Sequence, residues 1–198
     1  MPTFRKFVMS DPNLSGRVAI VTGAGRGLGR AMALGLARAG ADVVAMAARE
    51  ALEIERVATE AAGAPGRIVS ILADVTEEAD ASRVVATALK EFGRVDILVN
   101  NAGRGMKYVS ESFLTEPTRF WETSAEAWRL VIDANVNGPF LMARAAASEM
   151  IRAGWGRIVN ISMNHETMRR QGFLPMARPR PRWNRRRSSG RRTSMGRG

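Results

Sequence analysis

The chain has 198 residues, 45% hydrophobic content, no cysteine, one histidine, and Lys+Arg 30 against Asp+Glu 19. That balance suits one soluble globular domain and excludes a disulfide scaffold or a cysteine-ligated zinc site; no metal site is expected. The net charge of +11 is concentrated: Met176 to Gly198 holds nine arginines and no acid, so 11 − 9 leaves +2 for residues 1–175, a nearly neutral body.

No apolar run approaches the roughly 20 residues that span a bilayer. The opening MPTFRKFVMSDPNLSG also lacks the apolar centre of a secretory signal, so a cytoplasmic chain is expected. From Arg17 onward, VAIVT (18–22), DVVAM (42–46), RIVSIL (67–72), DILVN (96–100) and RIVNIS (157–162) are short and nearly continuously apolar, as strands covered on both faces must be. Alanine-rich helical stretches separate them. The alternation predicts an α/β domain, a doubly wound parallel sheet of Rossmann-like type over residues 1–175, with 176–198 as a basic disordered tail. Thr76 before Glu77 and Glu78 is expected to start one helix, and Thr123 with Glu126 has capping-box spacing for another.

The most informative stretch is Thr22-Gly23-Ala24-Gly25-Arg26-Gly27-Leu28-Gly29, between the first strand and the first helix. Glycines there permit a tight turn and remove side chains that would block a pyrophosphate. The helix start then presents free N–H groups and partial positive charge. A glycine-rich turn without a ligand is the plainer alternative.

The spacing resembles the TGxxxGxG loop of the short-chain dehydrogenase/reductase family, and further motifs follow in family order. Asp74-Val75 ends the third strand, Asn100-Asn101-Ala102-Gly103 matches the NNAG motif, and Asn135 matches the helix asparagine of the catalytic tetrad. The likeness runs over residues 16–175. It implies an NAD(P)-dependent oxidoreductase with a small carbonyl or alcohol substrate, and a homo-oligomer in intact members. It also implies that Thr22, Gly23, Arg26, Gly27, Leu28, Gly29, Arg49, Asp74, Val75, Asn101, Ala102 and Gly103 bind the cofactor, with Asp74 at the adenine. Asn135 would prop a water in a proton relay. Each has a structural alternative: Asp74 as a helix cap, Asn100 and Asn101 as partners for backbone groups, and Asn135 as an amide that needs a buried partner. NAD-specific members carry an acid at the end of the second strand, where this chain has Ala47. Arg49 nearby suits a 2′-phosphate, so NADP is favoured over NAD, unless Arg49 is simply solvated at a helix start. Residues 104–122, with Tyr108, Phe113, Phe120 and Trp121, form a long connection, read either as a substrate-binding element or as a surface excursion packing its own aromatics.

The resemblance fails at its chemical centre. The family uses a Tyr as acid/base, a Lys four residues on, and an upstream Ser that orients the carbonyl, and these act as a unit. The only tyrosine is Tyr108, and the lysines are Lys6, Lys90 and Lys107. Counting without gaps places Met176, Arg180 and Met163 at the three positions. Ser162 is one residue early, where strand alternation turns it to the other face unless a bulge intervenes. His165 as a substitute base competes with a plain polar role. The Arg-rich tail reads either as an arm for an anionic polymer such as nucleic acid or as the product of a shifted reading frame. Codons exist for Met176 to Gly198 that, one nucleotide back, read Tyr-Gly-Pro-Ser-Lys-Ala-Ala-Leu-Glu, the missing motif in its place. The chain is therefore expected to be truncated relative to the family, incomplete at the C-terminal end of the fold, and inactive as it stands.

Overall fold

The computed structural model describes residues 13–163. Five parallel strands, β1 (Val18–Thr22), β2 (Asp42–Ala47), β3 (Ile68–Leu72), β4 (Ile97–Asn100) and β5 (Arg157–Asn160), form one sheet in the order β3-β2-β1-β4-β5. The helices are α1 (Gly27–Arg38), α2 (Ala51–Glu60), α3 (Glu78–Phe92), α4 (Ala125–Ile132) and α5 (Gly138–Arg152). This is the doubly wound α/β fold expected from the strand and helix alternation. The boundary drawn at residue 175 lies outside the described residues.

Period-two alternation along the strands divides the core between two helical layers. Val18 and Ile20 of β1, Val44 and Met46 of β2 and Leu98 of β4 pack with Val84, Val85 and Ala88 of α3 and Met142, Ala146 and Met150 of α5. The intervening residues Ala19, Val21, Val43, Ala45, Ile97 and Val99 pack with Ala33, Leu34 and Ala37 of α1 and Ile54 and Val57 of α2. The three central strands are thus buried on both faces, which is why they read as unbroken apolar runs. Edge position alters the other two: β3 is only partly buried and β5 is exposed throughout. Strand β5 also ends at Asn160, two residues before the expected boundary, and its last ladder contact is the Ile161 N–H donating to the Asn100 carbonyl.

Two helix starts differ from expectation. The α4 cap is Ser124, whose hydroxyl accepts from the Ala127 N–H at 3.1 Å, while Thr123 donates to the Arg119 carbonyl of the preceding turn. Thr76 lies before the α3 cap, Glu77, and donates through both its N–H and its hydroxyl to the Asp74 carboxylate at 2.9 Å. The short polar side chains are bonded locally in turns, and the helices begin one residue later.

At the opposite edge of the strands from the glycine-rich loop, Asp96 is fully buried. It accepts from Arg94 Nε and an Arg94 terminal nitrogen at 2.7 and 2.6 Å, from Arg17 at 2.9 Å and from the Val18 N–H at 2.9 Å. Burial pushes the Asp96 carboxyl up, but the hydrogen bonds from Arg94, Val18 and Arg17 outweigh it and hold the group below the usual carboxylate range. The cluster ties the start of β1 to the start of β4. Those two strands carry the candidate site at their other ends.

Candidate functional site

Strand order reverses between β1 and β4, and an open α/β sheet binds ligands at the carboxyl ends of the strands at such a point. A cleft of about 240 Å³ lies there. Its wall comes from the residues after β1 (Gly23, Gly25, Arg26), after β2 (Ala48, Arg49, Glu50), after β3 (Asp74, Val75) and after β4 (Asn101, Ala102, Gly103).

The loop after β1 is locked to the end of β4 by a reciprocal set of hydrogen bonds. The buried Thr22 hydroxyl oxygen accepts from the N–H groups of Asn101 and Ala102, both at 2.9 Å, and donates to the Val99 carbonyl at 3.3 Å. In return the Asn101 side-chain amide donates to the carbonyls of Thr22 and Gly23 at 2.9 and 3.2 Å. Gly23 has φ of 65°, and a Cβ at Gly29 would collide with the Gly23 carbonyl and lie 2.5 Å from Asn101 Nδ2. Two glycines are therefore required for geometric reasons, one for a left-handed turn and one for the close seat of α1 against that turn. The result is a close turn at the start of α1 with no Cβ at Gly23, Gly25, Gly27 or Gly29, and the leading N–H groups of the helix carry partial positive charge. A phosphate-bearing dinucleotide fits the cradle so formed.

Of the residues predicted from sequence, Gly23, Arg26, Arg49, Asp74, Val75, Asn101, Ala102 and Gly103 line the cleft. Thr22 and Gly29 are buried behind it as supports. Gly27, with φ of 56°, and Leu28 are exposed at the start of α1 and do not line it.

Asn135 lies on a single π-helical turn, Asp133–Asn137, between α4 and α5. A π-turn inserts one extra residue into a helix and is frequent at functional sites. Here it brings the Asn135 amide onto the chain leaving β4: Oδ1 accepts from the Arg104 N–H at 2.8 Å and Nδ2 donates to the Arg104 carbonyl at 2.9 Å. The buried partner that a helix asparagine needs is thus the Arg104 backbone. Gly103 is tight against it, since a Cβ there would come within 2.9 Å of Asn135 Oδ1. Ser162 is exposed just past β5 and is not among the residues lining the cleft, so the structure does not bring it to the other candidates. His165, Met176 and Arg180 lie outside the described residues.

Sequence reasoning missed Ala48, Glu50, Glu53 and Ala134, whereas Gly25 belongs to the glycine-rich loop and Arg104 and Tyr108 to the long connection that it had singled out. Glu50 is the only non-glycine residue with positive φ, at 61°, among those described. The position of Glu53 in the first turn of α2, directly after a strand that ends at the site, was the available signal. The Arg104 guanidinium sits over the Tyr108 ring at 5.7 Å and donates weakly to the Leu130 carbonyl at 3.4 Å. Of the long connection, Tyr108 reaches the cleft, whereas exposed Phe120 and Trp121 pack edge to face on each other at 5.2 Å. Among the described residues no helix is long and apolar enough to cross a membrane.

The family model for short chain dehydrogenase matches residues 17–175. A 3-oxoacyl-(acyl-carrier-protein) reductase from Synechocystis sp. is 36% identical over 149 residues, covering 75% of this chain and 56% of the relative. A short-chain type dehydrogenase/reductase from Picea abies is 41% identical over 155 residues, covering 75% and 54%. Among solved structures, a metagenomic short-chain oxidoreductase in complex with NADP superimposes with a TM-score of 0.68 at 36% identity, covering 77% of this chain and 64% of that one. A putative short-chain alcohol dehydrogenase from Sinorhizobium meliloti gives a TM-score of 0.72 at 30% identity, covering 85% and 62%. The chain spans about half the length of the curated relatives it matches.

Proposed function

The chain belongs to the short-chain dehydrogenase family, and from that premise we propose that it binds NADP or NAD in the cleft at the ends of β1 and β4. The observation that carries this reading is the cradle itself: a positive-φ Gly23, a Gly29 with no room for a Cβ, and Asn101 bracing the loop from the next strand. Gly23 and the start of α1 would hold the pyrophosphate, Asp74 and Val75 the adenine, and Asn101 to Gly103 the chain of the ligand crossing β4. Ala47 in place of an acid, with Arg26 and Arg49 on the cleft wall, favours NADP.

A bound nicotinamide supplies two-electron redox chemistry between a carbonyl and an alcohol, the reaction we propose for the intact protein. The protein's own task is then to manage the proton at the substrate oxygen. Asn135 holds the backbone of Arg104 by both its N–H and its carbonyl, which fixes the chain beside the reacting end and, in this reading, positions a relay water. No side chain in the cleft is a Tyr paired with a Lys four residues on. Tyr108 has Ser112 at that spacing and its ring lies under Arg104. An alkoxide formed without a proton donor is poorly stabilised, so the chain as it stands should bind the dinucleotide and turn over little.

The test is twofold: titration of the purified chain with NADPH and NADH by calorimetry, and a spectrophotometric assay with a panel of ketones. Saturable binding with turnover at least tenfold below an intact relative is expected. Failure to bind either dinucleotide refutes the site, and turnover within tenfold of the relative refutes the assignment of inactivity.

A further inference from the structure

We propose that Glu53 replaces the acid missing at Ala47, accepting the adenosine ribose hydroxyls, so that the cleft takes NAD as well as NADP. This rests on the dinucleotide reading above and adds the residue that sets its selectivity.

The carboxylate reaches the site because two neighbours are small. Gly25 has no side chain and Ala47, at the end of β2, has only a methyl. Glu53 occupies the vacated space from the first turn of α2. Its Cβ and Oε2 both lie 3.5 Å from where a Cβ on Gly25 would stand, with the Ala47 Cβ 3.7 Å from the same point. An acid projecting from the strand end is thus exchanged for one projecting back from the helix toward the same corner.

Arg26, Arg49, Glu50 and Glu53 all line the cleft, and among the described residues none of the four side chains has an ion-pair or hydrogen-bond partner. Of the two carboxylates only Glu53 is half-buried and set against Gly25, while Glu50, Arg26 and Arg49 are exposed. A carboxylate is an acceptor only, and a vicinal diol offers two donors; a guanidinium is a donor only, and a phosphate offers acceptors alone. The corner therefore carries a complement for each form of the ribose. A 2′-phosphate gains the two arginines but meets the Glu53 charge, and a free 2′-hydroxyl gains Glu53 but leaves the arginines in water. Selectivity between the two cofactors should accordingly be shallow.

The experiment is equilibrium binding of NAD, NADP and 2′-deoxy-NAD to the full chain, wild type and Glu53→Gln. In the wild type, NADP should bind no more than about tenfold more tightly than NAD, and NAD roughly tenfold more tightly than 2′-deoxy-NAD, the scale of one charge-assisted hydrogen bond. Glu53→Gln should weaken NAD by about tenfold, weaken 2′-deoxy-NAD by less, since only its 3′-hydroxyl remains to be accepted, and leave NADP unchanged or tighter. The wild-type comparison of NAD with 2′-deoxy-NAD needs no variant, so equal affinity for these two overturns the proposal even if the variant does not fold. A substitution that weakens NAD and 2′-deoxy-NAD equally also overturns it, with NADP binding and the dinucleotide reading intact. Absence of binding by every dinucleotide overturns both.

Discussion

Thr22→Val tests whether the phosphate loop is held by the end of β4. Valine matches threonine in shape, so packing at this fully buried position is kept and only the hydroxyl is lost. That hydroxyl accepts from two backbone N–H groups at 2.9 Å, those of Asn101 and Ala102, and donates to the Val99 carbonyl. A buried donor left without an acceptor costs about 1–3 kcal/mol, and both donors here are only partly buried, so the lower half of the range applies to each and the sum is roughly 2–4 kcal/mol. In a domain of this size 1 kcal/mol moves the melting temperature by about 2–4 °C, which gives a fall of roughly 5–15 °C by circular dichroism. Affinity for NADPH should fall with it, because Gly23 and Asn101 lose their common anchor. Thr22→Ser keeps the hydroxyl and removes one methyl, so it should cost only about 1 kcal/mol. If Thr22→Val melts within about 2 °C of wild type, or if Thr22→Ser is as damaging, the hydroxyl does not hold the loop and the reasoning fails.

Two further outcomes are expected. Asp96 has a folded-state pKa below its unfolded value, so its stabilisation is fully present above the unfolded value near 3.9 and is lost as pH falls through the lower folded one. Asp96→Asn should therefore lower the melting temperature at pH 7 and flatten its dependence on pH below about 5, and an unchanged pH profile in the variant would show that the cluster carries no such linkage. The coding DNA after the Pro175 codon should read Tyr-x-x-x-Lys one nucleotide back, and inserting one base there should yield a chain with ketone-dependent NADPH oxidation; a coding sequence without that reading refutes the shifted frame.

The central strands were legible because burial on both faces leaves one solution for their composition. Val18 to Thr22 is apolar at every position except the last, and the last is a threonine whose hydroxyl is spent on backbone N–H groups. Edge strands are less constrained. Nothing in RIVNIS distinguishes a covered strand from one exposed along its length, so β5 reads the same as β4 while its burial is the opposite. Helix starts were misplaced by one residue for a related reason: Thr76, Thr123 and Ser124 are all competent caps, and the choice among them is made by the turn each must also close.

At the site, glycines and asparagines were legible because their roles are backbone roles, and backbone geometry follows from position between strand and helix. Gly23, Gly29 and Asn101 serve one loop, and any sequence with that loop needs them. The charged residues were not legible in the same way. That Arg49 and Glu53 both line the cleft depends on how the chain turns from β2 into α2, and it does so through Glu50 in a left-handed conformation, which no spacing rule announces. A carboxylate six residues beyond the expected position can then occupy the expected corner, because Gly25 and Ala47 leave it empty. Reading cofactor preference from the residue at the strand end alone records the missing acid at Ala47 and overlooks the acid that returns from the helix, so the charge of the whole corner, and not of one aligned position, is what decides between a diol and a phosphate.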